Sequence, residues 1–318
     1  MSRLNGWGCS MRTRNGILLA VHGHRAGFVA ALVTVITVTV NSPVRAADGS
    51  EPVASTQVAS TNVTLATELL GLSNISPILT GWRETLVQSA DLGGPELDKE
   101  MRARFAACWR NAVLKSFDTR QSEQKLARLF AESLNARELK ELIALRQTPL
   151  GEKISSSEQS FYARAKDTEK SMAWMIEAAS RLEQNPNRKV LIEAITELSG
   201  GTKALTDALT NISVGATLGA ESIKPPGQPR NSPEEIVAMV EQQGEQVWQH
   251  LDAVITTQYE MMYEKLNLKD LATLKAFLES RLGRRHTKVS LDAFNQLMRD
   301  EALAIGARFA NEWRSQDL

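Results

Sequence analysis

Few side chains in this chain have the type and spacing that chemistry needs. Ser122-Glu123-Gln124-Lys125 has the Ser-x-x-Lys spacing, which on a helix sets a lysine amine one turn from a serine hydroxyl, as in some exported serine acylases. The companion motifs Ser-Asp-Asn and Lys-Thr-Gly are missing, so the match reads as accidental. His250 and His286 lie 36 residues apart, and neither has a cysteine or carboxylate standing out at metal-ligand spacing. Both read as solvent-facing or capping histidines. Asp and Glu number 37, yet no pair can be singled out as close enough for two-carboxylate hydrolysis. There is no Walker loop, Gly-x-Ser-x-Gly, Cys-x-x-Cys or His-Glu-x-x-His. The expectation is no catalytic residue, no metal and no cofactor.

The remaining reactive or aromatic groups read mainly as structure. Cys108, within Phe105-Ala106-Ala107-Cys108-Trp109, is a small core residue on a helical pattern. Trp82, Trp109, Trp174, Trp248 and Trp313 read as core packing. Trp174 with Met172 and Met175 would, if exposed, form a soft apolar face suited to a partner helix or lipid-like ligand. The basic run Arg281-Leu282-Gly283-Arg284-Arg285-His286 reads as a solvated turn rather than an anion site.

The start of the chain bears on where these groups act. Residues 1–46 hold five arginines and no acidic residue, then the apolar run Gly27–Val40 and the small-residue site Val44-Arg45-Ala46. This is the pattern of a signal peptide cut after Ala46, with Met11 as a second candidate start. The run of about 14 residues falls short of the roughly 20 that span a bilayer. Cys9 leaves with the signal and Cys108 stays without a partner for an internal disulfide. The mature chain keeps 32 Lys+Arg of the 37 against 37 Asp+Glu, a net charge of about −5. A mildly acidic chain with no basic block is a poor ligand for nucleic acid or anionic lipid.

The elements that must position these residues are helices. Residues 47–62 are Ser-, Thr- and Ala-rich and read as a flexible leader. From Val63 apolar residues recur three and four apart, as in Leu126, Leu129, Phe130 and again in Leu139, Leu142, Ile143. No run shows sustained two-residue alternation, so strands are not expected. After Gly151, the residues Phe161, Ala165, Thr168, Met172, Met175, Ala179 and Leu182 repeat every 3.5 residues, predicting one long seam helix. Residues 221–231 form a Pro-rich linker, and Ser232-Pro233-Glu234-Glu235 starts a helix with a capping box. The expected architecture is an all-α multi-helix bundle of two related units, 63–220 and 232–318.

That relation rests on a self-match at an offset of 132 residues. Leu134-Asn135-Ala136-Arg137-Glu138-Leu139 aligns with Leu266-Asn267-Leu268-Lys269-Asp270-Leu271, and Thr148-Pro149-Leu150-Gly151 with Ser280-Arg281-Leu282-Gly283. Asn135 and Asn267 would cap short helices whose third residues, Glu138 and Asp270, carry negative charge at the positive helix end. Leu139 and Leu271 would face the core. Gly151 and Gly283 would supply a left-handed turn that stops each helix. The segment Leu134–Lys153 resembles a bacterial exported family known as domain of unknown function 2059, in which a short acidic, leucine-bearing helix precedes a Ser/Thr-Pro-x-Gly turn and a long helix. The second copy departs from it, with Arg281 in place of the proline. The resemblance implies an all-helical periplasmic protein of a Gram-negative bacterium and brings no catalytic residue with it. The functional expectation is a non-catalytic binding or assembly module for a protein partner or apolar ligand. An envelope hydrolase with unrecognised carboxylates and a structural homodimer stand as alternatives.

Overall fold

Short polar residues ahead of apolar periodic stretches decide where the chain turns helical. Asp98 accepts a hydrogen bond from the Met101 N–H (2.8 Å), Asp118 from Gln121 (3.0 Å) and Asn185 from Arg188 (3.1 Å). Each satisfies a backbone donor that the first helical turn leaves free. A computed structural model describes residues 52–92, 98–165, 168–222, 224, 227–248 and 251–315, so the expected signal segment 1–46 lies outside it. Among the described residues there are thirteen α-helices and no strand. In chain order they are α1 (Pro52–Leu72), α2 (Ile75–Gln88), α3 (Lys99–Ser116), α4 (Thr119–Ser133), α5 (Ala136–Arg146) and α6 (Pro149–Ala165). There follow α7 (Thr168–Gln184), α8 (Pro186–Leu198), α9 (Gly201–Ser222), α10 (Pro233–Trp248), α11 (Leu251–Met262), α12 (Leu268–Glu279) and α13 (Arg281–Ser315). None of them is long and apolar enough to cross a membrane.

The all-α expectation holds. Helix α13, 35 residues long, is the spine, and α9, α3 and α4 pack along it. Where α9 crosses α13 the backbones nearly touch: a Cβ on Gly306 would lie 2.2 Å from the Gly215 carbonyl oxygen. Phe294 and Phe309 of α13 are buried, and their rings meet Trp82 at 5.7 Å and Trp109 at 6.1 Å, so these tryptophans are core. Cys108 is also fully buried. Helix α1 covers α4 and α5, while α8 covers α12 and α11.

Both short capped helices form as the spacing predicts. Asn135 accepts from the Glu138 N–H while Glu138 reaches back to the Asn135 N–H, both at 3.0 Å. Asn267 and Asp270 repeat this at 2.9 and 3.1 Å, and Ser232 with Glu235 forms a third such box. Leu139 and Leu271 are fully buried beneath the first two.

Three expectations are corrected. The stretch 47–62 was expected as a flexible leader, but α1 already starts at Pro52. Ala66, Leu69 and Leu70 anchor that helix in the core, and extending a nucleated helix back to a proline at its first position is cheap. The seam is two helices rather than one, α6 ending at Ala165 and α7 starting at Thr168 and packing back on it. The register changes at that joint: α7 buries Ser171, Trp174, Ala178 and Leu182, leaving Met172 exposed. Trp174 therefore offers no surface face; its indole donates to Glu264 Oε2 at 2.9 Å with the Arg164 guanidinium over the ring. Finally, Gly151 and Gly283 make no left-handed turn, because both sit inside the first turn of a right-handed helix, α6 and α13. They are glycines because a Cβ would lie 2.3 Å from the Leu145 carbonyl oxygen in one case and 1.9 Å from that of Phe277 in the other. The left-handed positions in the described chain are Asn74, Gly200 (φ 57°) and Gly227.

Candidate functional site

The tight α5–α6 joint brings together residues twelve apart. Thr148 caps α6 by accepting from the Gly151 N–H (3.1 Å), and the bare Gly151 lets α6 lie against the last carbonyls of α5. Arg146, ending α5, can then donate from Nη1 to Glu158 Oε2 at 3.1 Å, deep in the bundle. Burial pushes the Glu158 carboxyl above the usual carboxylate range; Arg146 and hydrogen bonds from Asn74 and Tyr263 pull it back. Asn74 is well placed for this, held in its left-handed conformation (φ 53°) by a bond from Nδ2 to the Ser155 carbonyl at 2.9 Å.

Two tyrosines approach the pair from the second half of the chain. Tyr259 and Tyr263, one helical turn apart at the end of α11, meet edge to face at 5.9 Å. Their backbone is pinned from below. Arg188 of α8 donates to the carbonyls of Tyr263 (2.8 Å) and Leu266 (2.6 Å) and to Glu260 Oε2 (2.7 Å). Arg181 donates to the other Glu260 oxygen at 3.0 Å, so this fully buried carboxylate is flanked by two guanidinium groups. Burial pushes the Tyr259 hydroxyl up to about 12 and those of Tyr162 and Tyr263 further, the Glu158 charge adding to both. All three remain protonated hydrogen-bond donors near neutral pH.

These groups border a cavity of about 130 Å³ between α1, α5, α6, α8, α11, α12 and α13. Its walls are mostly aliphatic and aromatic, with Arg146, Glu158, Tyr259, Tyr263, His286 and Ser290 as the principal polar lining. Exposed Leu145, Thr148 and Thr273 mark its mouth, between the ends of α5 and α12. His286 reaches the cavity from α13 instead of facing solvent, its ring 6.2 Å from Phe130. Burial, then the nearby Arg146 charge, pushes its imidazole down to about 3, so it is neutral. Its Nδ1 is buried and makes no hydrogen bond, and neither does Ser290 Oγ, on a residue with no exposed surface. The Tyr162 hydroxyl near Glu158 is in the same condition.

Residues 132 apart meet across this cavity. Leu142 and Leu274 both line it, as do Phe130 and Met262, Ile154 and His286, and Glu158 and Ser290. The flanking contacts are reciprocal. Glu138 pairs with Arg285 at 2.8 Å, and Asp270, 132 residues after Glu138, pairs with Lys153, 132 residues before Arg285. The Lys153 partner also holds the Asp270 carboxyl below its ordinary range. The turns match as well: Ser73 Oγ donates to the Leu69 carbonyl (2.9 Å) and Ser199 Oγ to that of Ile195, ahead of left-handed Asn74 and Gly200.

The motif residues singled out from the sequence thus frame the cavity. Asn135, Glu138, Asn267 and Asp270 cap the N-terminal ends of two helices, α5 and α12, that line it, Pro149 opens α6, Gly151 lines the wall and Gly283 closes the matching joint. The polar groups inside it were missed, although a signal existed: Arg146, Glu158 and His286 stand where the other copy has Leu278, Ser290 and Ile154. The Ser-x-x-Lys pair lies elsewhere and is structural, because fully buried Ser122 donates to Glu301 (3.2 Å) and Lys125 is ion-paired to the same oxygen (3.0 Å). Ser290 and His286 share a face of α13 without bonding each other, so no base activates the hydroxyl in this conformation. Among the described residues no group of three or more His, Cys, Asp or Glu is placed to hold a metal. Such a cavity can enclose a small molecule and hold one end of it by hydrogen bonds. His250 falls outside the described residues. Comparison with known protein families, curated proteins and solved structures gives no match for this chain.

Proposed function

We propose that this chain is an exported periplasmic binding module that encloses a small, largely apolar ligand in the cavity between its two helical units. The observation that carries the reading is a cavity of about 130 Å³ with mostly aliphatic and aromatic walls, bordered by a few polar side chains such as Arg146, Glu158, Tyr259 and Tyr263. A two-carboxylate hydrolase finds less support, because Glu158 is the one carboxylate among the lining residues and it is already occupied by Arg146. The duplicated-unit reading is part of the proposal. The order of α1–α6 is answered by that of α8–α13, with matched caps, turns and ion pairs, and α7 joins the halves. This divides the chain at α7 rather than at residues 221–231. The resemblance to the exported family, centred on α5 and the start of α6, agrees with it.

The test is titration of the mature protein with benzene and toluene, followed by thermal melting and by NMR of the cavity methyl groups. Ligand at about a hundredfold over its Kd stabilises a folded protein by about 2.7 kcal/mol. The variant Ile154→Phe should fill the void, keep or raise the melting temperature and abolish binding. If neither hydrocarbon shifts the melt or the methyl resonances of the wild type, the proposal fails.

A further inference from the structure

We infer that the guest is an uncharged molecule of about benzene size, and that Glu158 sets this charge class by cancelling Arg146 at the cavity wall. The inference rests on the binding reading above and deepens it by naming the class of ligand. Size comes first. An engineered cavity of about 150 Å³ takes benzene, and this one, at about 130 Å³, is close to that. Leu142, Leu274 and Phe277 supply apolar wall for a ring or a short branched chain.

Charge decides the rest. Among the described lining residues only Arg146 and Glu158 carry a charge, and they pair with each other at 3.1 Å. Arg146 has its own reason to be there, since a cation in the last turn of α5 suits the negative end of that helix. A guanidinium never gives up its proton in a protein, so alone it would make this wall a site for anions. Glu158 of α6 supplies the fixed counter-charge. The two side chains are only 20% and 8% exposed, so water screens the pair little. Burial is the larger cause in each case, yet Arg146 helps to push the His286 imidazole down and Glu158 to push the Tyr263 hydroxyl up. Both charges therefore act across the lining. An entering carboxylate meets Glu158 as a like charge, and an ammonium meets Arg146. Either also leaves its water shell with no free ion partner to receive it, which is expensive. An uncharged guest avoids both penalties.

The matched half of the molecule serves as an internal comparison. Leu278 and Ser290 stand where the first half has Arg146 and Glu158. The joint closes there in the same way: Ser280 Oγ accepts from the Gly283 N–H at 2.9 Å, as Thr148 Oγ1 accepts from that of Gly151 at 3.1 Å. The fold of the joint therefore does not require an ion pair. A buried pair is also a weak stabiliser, because desolvation of its two charges offsets much of their attraction. The pair bears on what the cavity admits rather than on keeping the joint closed.

The experiment compares toluene, benzoate and benzylammonium on the mature protein at pH 7 by calorimetric titration. All three carry one benzene ring and differ chiefly in charge. The wild type should bind toluene, with benzoate and benzylammonium each weaker by about a hundredfold. Glu158→Gln keeps the shape of the side chain, removes its charge and leaves Arg146 uncancelled. The affinity for benzoate relative to toluene should then rise by about tenfold, with benzylammonium still refused. Replacing both residues by those of the other half, Arg146→Leu with Glu158→Ser, should return that ratio to the wild-type level. Circular dichroism checks that each variant is folded, and Glu158→Ser takes the place of Glu158→Gln if the latter is not. Benzoate or benzylammonium binding the wild type as tightly as toluene overturns the inference while leaving the binding module intact. So does a folded Glu158→Gln protein that gains no affinity for benzoate relative to toluene. If none of the three binds the wild type, the binding reading itself has failed.

Discussion

His286 enters the folded protein uncharged, with burial and then Arg146 lowering its pKa to about 3, against about 6.5 in an unfolded chain. Between those values the unfolded state binds the extra proton, so this residue's contribution is complete above about pH 6.5 and is lost as pH falls towards 3. Glu158 works the other way. Its folded pKa is raised, so what it contributes is present below the ordinary carboxylate pKa and is lost as pH rises through the raised value. Taking the protein from pH 7 to pH 5 should therefore remove on the order of 1–2 kcal/mol through His286. Urea unfolding of wild type and His286→Gln at both pH values measures this: the drop should be smaller in the variant, and equal drops would refute the assignment. None of this was legible from local sequence. His286 sits in an arginine-rich stretch that reads as a solvated turn, and only the packing of its ring beside Phe130 of α4 makes it a cavity residue. Ser122 and Lys125 were legible in the opposite sense, a motif read as accidental that Glu301, 176 residues from Lys125, turns into core.

Helix ends were legible where one side chain closes a local loop of backbone. Asn135 with Glu138, Asn267 with Asp270 and Ser232 with Glu235 each complete their box within four residues, and all three form. The role of the neighbouring glycines was not, because a conserved-looking stop signal and a point of close helix approach leave the same letter. The two can be separated by substitution. Gly151→Ala and Gly283→Ala should each destabilise by about 2–4 kcal/mol, since the added methyl meets a carbonyl that cannot retreat. Gly71→Ala is the control: nothing lies within 4 Å of its Cβ, and a helical glycine replaced by alanine should stabilise by about 0.5–1 kcal/mol. Equal effects at all three positions in denaturant titrations would rule out the close-approach account. The seam illustrates the limit of periodicity. A 3.5-residue repeat was present from Phe161 to Leu182, yet α7 buries Ser171, Trp174 and Ala178, each one off from it, and rejoins it only at Leu182, because each helix of a hairpin takes its register from its own neighbours.

At the scale of the molecule the two halves interlock. Helices α3 and α4 pack on α13, and α6 packs on α11, so neither half keeps its core if the other is removed. The first described helix begins at Pro52, which leaves every described helix intact if the chain is cut after Ala46. The export reading then predicts that protein recovered from the periplasmic fraction starts at Ala47 by N-terminal sequencing. Retention in the cytoplasm with residues 1–46 still attached would rule it out. Arg188 has a consequence that reaches beyond stability. By tying the Tyr263 and Leu266 carbonyls to α8 it makes the floor of the cavity the stiff side. The exposed lining, Leu145, Thr148 and Thr273, lies instead on α5, the α5–α6 joint and α12. Traffic into an enclosed cavity waits on protein motion, typically microseconds to milliseconds, rather than on diffusion. The occupancy time of a guest would accordingly be set by how often those outer segments part, however tightly the walls hold it.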